Sequence, residues 1–543
     1  MVIDALILFG AWCFEFVIFA KVKFVKFFLF LKLSAAKELI CKSRPMPFYF
    51  KAKKLNMTAG DQLSAVMLNE EEAGHLGIRA GDRLNINWNG HKIVCEATLA
   101  DGQMPRGCMG LYREVWKYFP IAEGEAVETE MLSRPDSIEA IKKKLLGKKL
   151  NFKEVNSIVH DIAHYRLSYA EIAYFVASGF VREYSREELY YMVKAMAENG
   201  EQLRFPGTVV DKHSIGGMAT KKVTLIVTPI IAAAGLTMPK TSSRAITSPA
   251  GTADTMEILS CVSFSSEEIK RIVKENGACL VWGGGLNLVP ADDRIIKVSY
   301  PLSLEPYNKM VVSIMAKKVA MGIKYLVIDM PVGKNTKIPD MKKARKISDI
   351  FVYLGKRFGM KVKVVIVPAK EPIGQGMGPA LEIRDALRIL QQKKEQSPDL
   401  VDKSLLFAAT ILEMSGKVKK GSGRAAAKEI LESGRAWKKM QGIIKSQGGN
   451  PAVDSEKVTL GAIKKYVNAK KGGKITAIDG RAVNDICRIL GNPNDKLGGM
   501  FLNKKVGETV KKGERVFTLY AQNQDRMDLA AKAIQKMKVY AIR

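Results

Sequence analysis

The segment 208–217 reads TVVDKHSIGG. It begins with residues typical of a β-strand and ends in two glycines, shortly before an apolar stretch from Lys222 to Ala234 that is typical of a buried helix. When a strand leads through a glycine loop into a helix, backbone N–H groups and the positive end of the helix dipole favour an anion there. Lys212 adds a charge and Ser214 a hydroxyl group. We therefore predict an α/β unit with an anion site in the loop from Lys212 to Gly217, and a plain tight turn remains the alternative at this point.

A second polar segment, residues 241–254, reads TSSRAITSPAGTAD and precedes the helical pattern at Met256–Leu259. Thr252 is suited to the start of that helix. Clusters of Ser and Thr are also common in solvated loops, so a plain surface loop remains an alternative. With one Arg among many hydroxyl donors beside a helix N-terminus, the segment predicts a second anion cradle.

The alternation of strand and helix patterns continues after this segment. Ser265 and Glu268 have the spacing of a capping box at the start of a helix that ends at Gly277. Strands are predicted at Cys279–Val281, Tyr325–Ile328 and Val362–Val367. This order indicates a parallel sheet wound with helices.

The flanking parts of the chain have different patterns. Between Pro47 and Glu130, short runs of partial alternation are separated by Asn89-Gly90 and Asp101-Gly102, which predicts a small β-rich domain with hairpins at both sites. Between Ser137 and Glu198, helical spacing and polar starts predict a helical domain. After Lys474 the pattern predicts a small α+β domain. The fold class is therefore multidomain α/β.

The net charge is +31, from 86 Lys and Arg residues against 55 Asp and Glu residues. This charge fits either a surface that attracts anions or lysines that simply cover solvated faces. Because the lysines are spread along the whole chain and not clustered among aromatic residues, nucleic acid is not the first choice of partner. Anionic small substrates fit as well.

The chain contains seven cysteines, an odd number, without a Cys-x-x-Cys pair. This spacing predicts a reducing, cytoplasmic location and no zinc or redox site. His160 and His164 are one helical turn apart but have no third ligand in the pattern, so no metal site is predicted.

Residues 1–45 form an apolar and basic N-terminal extension. Its apolar run, Ala5–Ala20, is shorter than the roughly 20 residues that span a bilayer, and Glu15 interrupts it. No signal-peptide cleavage site is evident. An over-extended translation start is our first interpretation and an interfacial segment the second, so a membrane is not the first choice of partner.

Three motifs together resemble the thymidine phosphorylase and AMP phosphorylase family. They are KHSIGG at 212–217, the set Ser242-x-Arg244 with Thr252 and Asp254, and SIMAKK at 313–318. The resemblance runs from about Ser137 to the C-terminus. Within the family, the form SSRAITS at 242–248, the additional N-terminal domain and IDMPVG at 328–333 are similar to the archaeal-type AMP phosphorylases.

The resemblance implies a helical domain that closes over an α/β domain of the nucleoside phosphorylase type, followed by a smaller α+β domain. The predicted regions are the extension 1–45, the β-rich domain 46–132, the helical domain 133–205, the α/β domain 206–445 and the C-terminal domain 446–543. A segment near 300–325 is expected to return to the helical domain.

The implied reaction is phosphorolysis of a nucleoside 5′-monophosphate to the free base and ribose 1,5-bisphosphate, in nucleotide salvage. AMP is the favoured substrate, with CMP and UMP as further candidates, and inorganic phosphate is a co-substrate with no other cofactor. A homo-oligomer, dimeric or larger, is also expected. Two alternatives stay open: a pyrimidine nucleoside phosphorylase acting on thymidine or uridine, and an RNA-binding protein on an inactive phosphorylase scaffold.

The resemblance also implies roles for individual residues. Glu305 stands where the family has the acid that protonates the departing base. The expected phosphate-binding residues are Lys212, Ser214, Thr224, Ser242 and Thr252. The expected nucleotide-binding residues are His213, Gly217, Ser243, Arg244, Ala245, Ile246, Thr247, Ser248, Thr252, Ser313, Lys317 and Lys337.

Two positions depart from the family's usual pattern. The family usually has Gly-Asp where this chain has Thr220-Lys221, and its acid is commonly Asp where this chain has Glu305. Either change is expected to affect substrate choice or activity.

Overall fold

A computed structural model of the protein describes residues 47–59, 65–118, 120–132, 135–216, 222–245, 248–299, 301–302, 307–333 and 336–543. The chain divides into two compact units, Met1–Arg134 and Pro135–Arg543. The predicted extension 1–45 lies outside the described residues. Within the described ranges, no helix is long and apolar enough to cross a membrane.

The first unit contains a closed barrel of six strands. In barrel order the strands are β1, β5, β2, β4, β3 and β6. Their bounds are β1 Phe48–Lys54, β2 Ala65–Asn69, β3 Arg83–Trp88, β4 His91–Ala100, β5 Cys108–Leu111 and β6 Ala126–Met131, with helices α1 Glu70–His75 and α2 Arg113–Tyr118. Alternate side chains such as Leu84 and Ile86 fill the interior.

One of the two predicted hairpins is present in this barrel. Asn89 and Gly90 join the antiparallel strands β3 and β4, and both have positive φ angles, 47° and 82°. The prediction at Asp101-Gly102 was wrong. The strand that follows, β5, pairs with β1 and β2 and not with β4, because the chain crosses to the other side of β2 to close the barrel.

The second unit is helical at its start. The first helices are α3 Ser137–Leu145, α4 Phe152–Ala163, α5 Tyr169–Val181 and α6 Arg186–Glu198. Three of them begin with capping boxes formed by Asn151, Ser168 and Ser185, each with a Glu three residues later. Two later helices, α10 Pro290–Ser299 and α11 Tyr307–Ala320, pack against α4, α5 and α6.

A parallel sheet follows the helices. Its strands are β7 Val210–Ser214, β8 Met238–Ser242, β9 Ala278–Trp282, β10 Tyr325–Val332 and β11 Lys361–Pro368. The sheet order is β11-β10-β7, continued by β8-β9 through a parallel bridge between Val209 and Thr237. From β7 the chain proceeds outward through β8 and β9, and it returns on the other side of β7 with β10. Ligands commonly bind at such a switch point, outside the carboxyl ends of the strands.

Helices cover this sheet with their apolar sides. The remaining helices of the α/β region are α7 Val223–Ala233, α8 Thr252–Met256, α9 Ser266–Asn276, α12 Met341–Arg357, α13 Pro379–Leu390, α14 Pro398–Met414, α15 Gly423–Glu432 and α16 Arg435–Ser446. Two cores result. One joins α7 and α13–α16 to the sheet, and the other joins α9–α12 and the N-terminal helices to it.

The C-terminal region forms two small antiparallel sheets and a separate core. Its elements are β12 Gly376–Met377, β13 Ile463–Asn468, β14 Gly473–Ile478, α17 Gly480–Ile489, β15 Gly499–Leu502, β16 Thr509–Val510, β17 Arg515–Ala521, α18 Gln524–Lys536 and β18 Tyr540–Ile542. Strand β12 lies just before α13, so this region is joined directly to the α/β part.

Candidate active site

Strand β7 extends further than the sequence predicts. Lys212, His213 and Ser214 were predicted to lie in the glycine loop, but they belong to the strand, which pairs with β10 along its whole length. The loop begins at Ile215, whose N–H donates to the Asp329 carbonyl oxygen at 3.0 Å. Because side chains alternate along a strand, Lys212 and Ser214 share one face of the sheet and His213 lies on the other.

On the face covered by α14, three charged side chains form a buried group that we call the α14 cluster: Lys212, Asp329 and Lys403. The Asp329 carboxylate lies 3.1 Å from the Lys212 ammonium and 3.2 Å from the Lys403 ammonium. All three side chains are buried, and burial lowers the pKa of Lys212 although Asp329 opposes the shift. With both lysines protonated, the cluster has one positive charge in excess.

A second buried group, the α11 cluster, contains Asp211, Lys240 and Lys318. The Asp211 carboxylate lies 3.3 Å from the Lys240 ammonium and 2.6 Å from that of Lys318 on α11. Burial alone would raise the pKa of Asp211, but the two lysines hold it below its ordinary value. Burial and the neighbouring lysines also keep the pKa of His213 well below its ordinary value, so its imidazole is neutral.

When their lysines are protonated, the two clusters together place excess positive charge beneath the carboxyl end of β7. Burying charge is costly unless an opposite charge compensates it, and in a low-dielectric interior that compensation is strong. An anion at the end of β7, next to the N-terminus of α7, would supply it. The arrangement therefore favours a phosphate group at this end of the strand.

One consequence concerns pH. Burial lowers the pKa of Lys240 to about 7, an effect strengthened by Lys318 and Lys212 and opposed by Asp211. Below pH 7 Lys240 is charged and supports anion binding, and above it that support is lost. We expect the KM for inorganic phosphate to rise severalfold between pH 7 and 9 in the native protein, and to rise less in Lys240→Met. Equal profiles for both proteins would contradict this role.

Hydrogen bonds join the loop after β8 to the start of α8. The Asp254 carboxylate accepts hydrogen bonds from the N–H groups of Ala245 and Gly251, at 2.7 and 2.8 Å. Gly251 is required there because a Cβ at this position would clash with the Ser243 and Arg244 backbone. Helix α8 begins at Thr252, as predicted.

Ser242, the last residue of β8, is a further candidate for an anion contact. Its hydroxyl oxygen is buried and has no hydrogen-bond partner within the described part of the chain. Buried polar atoms are nearly always paired, so an unpaired one calls for an explanation. A phosphate oxygen at the carboxyl edge of the sheet would pair it.

Helix α11 presents Ser313 and Lys317 on the same side, as their spacing predicts. Both donate to the same oxygen of the Asp292 carboxylate on α10, at 2.5 and 2.8 Å. The charge of Lys317 also contributes to the lowered pKa of His213, so α11 and the end of β7 are neighbours. The residue after Asp292, Asp293, has its pKa raised to about 6, mainly by burial.

The other predicted site residues are placed as follows. Thr224 is buried in the first turn of α7, Ser248 is buried and donates to the Ala250 carbonyl oxygen, and Lys337 lies partly buried in the loop after β10. Gly217, Thr220, Lys221, Ile246, Thr247 and Glu305 lie outside the described residues. Among the residues that are described, no group of three His, Cys, Asp or Glu side chains could hold a metal ion.

The sequence did not indicate three of the charged partners: Asp329, Lys403 and Asp292. Asp329 could have been found, since it directly follows the predicted strand Tyr325–Ile328 and lies between apolar residues, and a charge in such a place is usually buried and paired. No such signal is present in the sequence around Lys403 or Asp292. Their roles depend on which helices pack at the ends of β7 and α11.

Comparison with known proteins gives matches to three domain families and to named relatives. Residues 138–200 match the helical bundle domain of a glycosyl transferase family, residues 206–437 match the a/b domain of that family, and residues 474–541 match the pyrimidine nucleoside phosphorylase C-terminal domain. The protein from Thermococcus kodakarensis named AMP phosphorylase is 44% identical over 483 residues, which cover 88% of this chain and 95% of that relative.

Two further relatives carry the same name. The protein from Pyrococcus furiosus is 42% identical over 495 residues, covering 90% of this chain and 97% of the relative. The protein from Methanosarcina barkeri is 39% identical over 472 residues, covering 87% and 93%. The chain belongs to the AMP phosphorylase family. The predicted family, its glycosyltransferase class and the predicted fold class are thereby confirmed.

As a member of the AMP phosphorylase family, the chain carries its three motifs on neighbouring elements. KHSIGG begins on β7, SSRAITS begins at the end of β8, and SIMAKK lies on α11. The described parts of these motifs meet near the carboxyl ends of β7 and β8.

Proposed function

We propose that the protein catalyses phosphorolysis of nucleoside 5′-monophosphates, with AMP favoured and CMP and UMP as further substrates. The products are the free base and ribose 1,5-bisphosphate. The observation that carries the proposal is the two buried clusters at the switch point, each with two lysines and one aspartate, in a chain whose relatives are named AMP phosphorylases. The cytoplasmic location predicted from the cysteines belongs to the same proposal.

In this reaction an oxygen of inorganic phosphate forms a bond to C1′ of the ribose while the bond from C1′ to the base nitrogen breaks. Phosphate is a weak nucleophile, so holding it beside C1′ supplies much of the catalysis. Lys212, Ser214 and Ser242 are proposed to hold the phosphate at the sheet edge, together with Thr224 and Thr252 in the first turns of two helices.

The base needs a proton as it departs, because a base anion is a poor leaving group. Glu305 is proposed to donate this proton. The neutral His213, with Ser313 and Lys317, lies on the face of the sheet opposite to Lys212 and is proposed to contact the nucleotide. The alternation along β7 would thus direct the two substrates to different side chains.

A substrate panel tests the proposal. Purified protein is incubated with phosphate and AMP, CMP, UMP, adenosine, uridine or thymidine, with and without EDTA, and the free base is measured. We expect turnover of the monophosphates, unaffected by EDTA. Turnover of nucleosides alone would instead identify a nucleoside phosphorylase, and salt-sensitive RNA binding without any turnover would identify an RNA-binding protein.

The expected homo-oligomer is part of the proposal. Helix α5 carries an exposed apolar stripe of Ala170, Tyr174 and Val181, positions that share one side of a helix. A second copy of the chain is proposed to cover it. Light scattering with size-exclusion chromatography is expected to give a dimer or larger, and Tyr174→Asp is expected to lower the mass. A native monomer would contradict this.

A further inference from the structure

Arg244, on the loop after β8, is held by a group of charged side chains that we call the Arg244 cluster: Arg244, Asp254, Glu257 and Lys496. The two terminal nitrogens of the guanidinium donate to the two oxygens of the Glu257 carboxylate, Nη1 to Oε2 at 2.6 Å and Nη2 to Oε1 at 2.8 Å. Nη1 also lies 3.4 Å from Asp254. The guanidinium is centred 5.0 Å from the Trp282 ring. These contacts fix the plane and direction of the Arg244 side chain.

This geometry leaves one edge of the guanidinium available. Glu257 and Asp254 engage the N–H groups of Nη1 and one N–H of Nη2, and within the described ranges neither Nε–H nor the other Nη2–H has a partner. These two N–H groups form a parallel pair of donors, which suits two oxygens of one phosphate group. The Arg244 side chain as a whole is 39% exposed.

The fourth member of the cluster comes from the C-terminal region. The Lys496 ammonium donates to Oε2 of Glu257 at 2.6 Å, the same oxygen that receives Nη1 of Arg244. Lys496 is presented by a hydrogen-bonded turn between α17 and β15. Its carbonyl oxygen accepts from Ala380 N–H at the start of α13, and Asp495 accepts from the N–H of Leu497. Its ammonium position is thus set by the fold.

The charges show what Lys496 contributes. With Lys496 present, two cations face two carboxylates and the cluster is neutral. Without it, Glu257 and Asp254 leave a net negative charge beside the open edge of Arg244, where it would repel an approaching phosphate. The hydrogen bonds from Arg244 and Lys496 lower the pKa of Glu257 to about 2, so this carboxylate stays charged at working pH.

We propose that Lys496 is a positioning residue for the phosphate group of the nucleotide, acting through Glu257 on Arg244. Lys496 does not touch the substrate. It balances the charge of Glu257, and Glu257 holds the Nη1–Nη2 edge of Arg244 so that the Nε–Nη2 edge stays free for the phosphate group. The C-terminal region is thereby a part of nucleotide recognition. The inference rests on the proposed function, because it requires a nucleotide with a 5′-phosphate.

The test compares Lys496→Met with the native protein. We expect the KM for AMP to rise about fivefold, because loss of an ion pair between partly exposed side chains seldom weakens an interaction by a larger factor. The KM for inorganic phosphate and the inhibition constant of adenosine, which lacks the 5′-phosphate, should stay unchanged. Lys496→Arg should restore the native KM for AMP. The matched control is Lys470→Met, at an exposed lysine of the same region.

A double-mutant cycle shows whether Lys496 acts through Glu257. In a Glu257→Gln background, Lys496→Met is expected to add little further change to the KM for AMP. Two results would overturn the inference when the native enzyme turns over AMP. One is an unchanged KM for AMP in Lys496→Met, and the other is that the variant binds AMP and adenosine more weakly by the same factor. If the native protein shows no turnover of AMP, the proposed function itself has failed.

Discussion

The Lys212→Met variant is expected to retain at most about one hundredth of the native kcat/KM for AMP phosphorolysis, because a single preorganised donor aimed at a reacting anion commonly contributes a factor of about 10² to 10³. The change removes the charge that β7 carries toward the proposed phosphate site and leaves Asp329 paired with Lys403 alone. Both effects weaken phosphate binding. Initial rates at varied phosphate and AMP concentrations measure the loss.

Loss of a buried charge can also reduce stability, so a control is needed. Lys363→Met removes an exposed lysine from β11 of the same sheet, and we expect native rates from it. Circular dichroism and thermal unfolding report whether Lys212→Met is folded. If it is not, Ser214→Ala provides a milder test at the same strand end. A folded Lys212→Met variant with rates within twofold of native would show that the proposed role is wrong.

The helices illustrate what the sequence could predict. The predicted capping box of Ser265 and Glu268 is present at the start of α9, and this helix ends at Gly277 as expected. These signals are local, since the capping residue and the N–H group it binds are three residues apart. Local signals of this kind do not depend on how the rest of the chain folds.

Strand β7 illustrates what the sequence could not predict. Residues 211–214 read DKHS, which is typical of a loop, yet they form a strand because β10 supplies hydrogen-bond partners along the whole segment. The charged side chains of Asp211 and Lys212 are tolerated in the sheet because Lys240 on β8 and Lys318 on α11 pair with Asp211, and Asp329 on β10 pairs with Lys212. Such pairing joins residues far apart in the chain, and no local pattern encodes it.

The candidate site shows the same division. The loop pattern indicates Lys212, and the resemblance of the motifs to the family indicates Ser242, Ser313 and Lys317. Asp329 and Asp292, which hold three of these side chains, were not indicated as their partners. The roles of the site residues stay predictions, and Glu305 is the second residue whose replacement is expected to have a large effect.

Glu305→Gln is expected to lower kcat for AMP by a factor of about 10² to 10⁴, the usual contribution of a general acid. The amide keeps the size of the side chain but has no proton to give to the departing base. The KM for phosphate should change little, because the proposed phosphate site uses other residues. Rates should also be measured at varied pH. The native rate should fall at high pH as the acid loses its proton, and this high-pH limb should be absent from the profile of the variant.

Two further variants decide whether Glu305 is the acid. Glu305→Asp restores the residue common in the family and should keep most of the activity, whereas Glu395→Gln, at an exposed glutamate, should be native. Asp293 is the competing acid, because burial raises its pKa to about 6 and it lies beside the Asp292–Lys317 pair. If Asp293→Asn loses the high-pH limb and Glu305→Gln keeps it, the proton comes from α10 and the assignment carried over from the family is wrong.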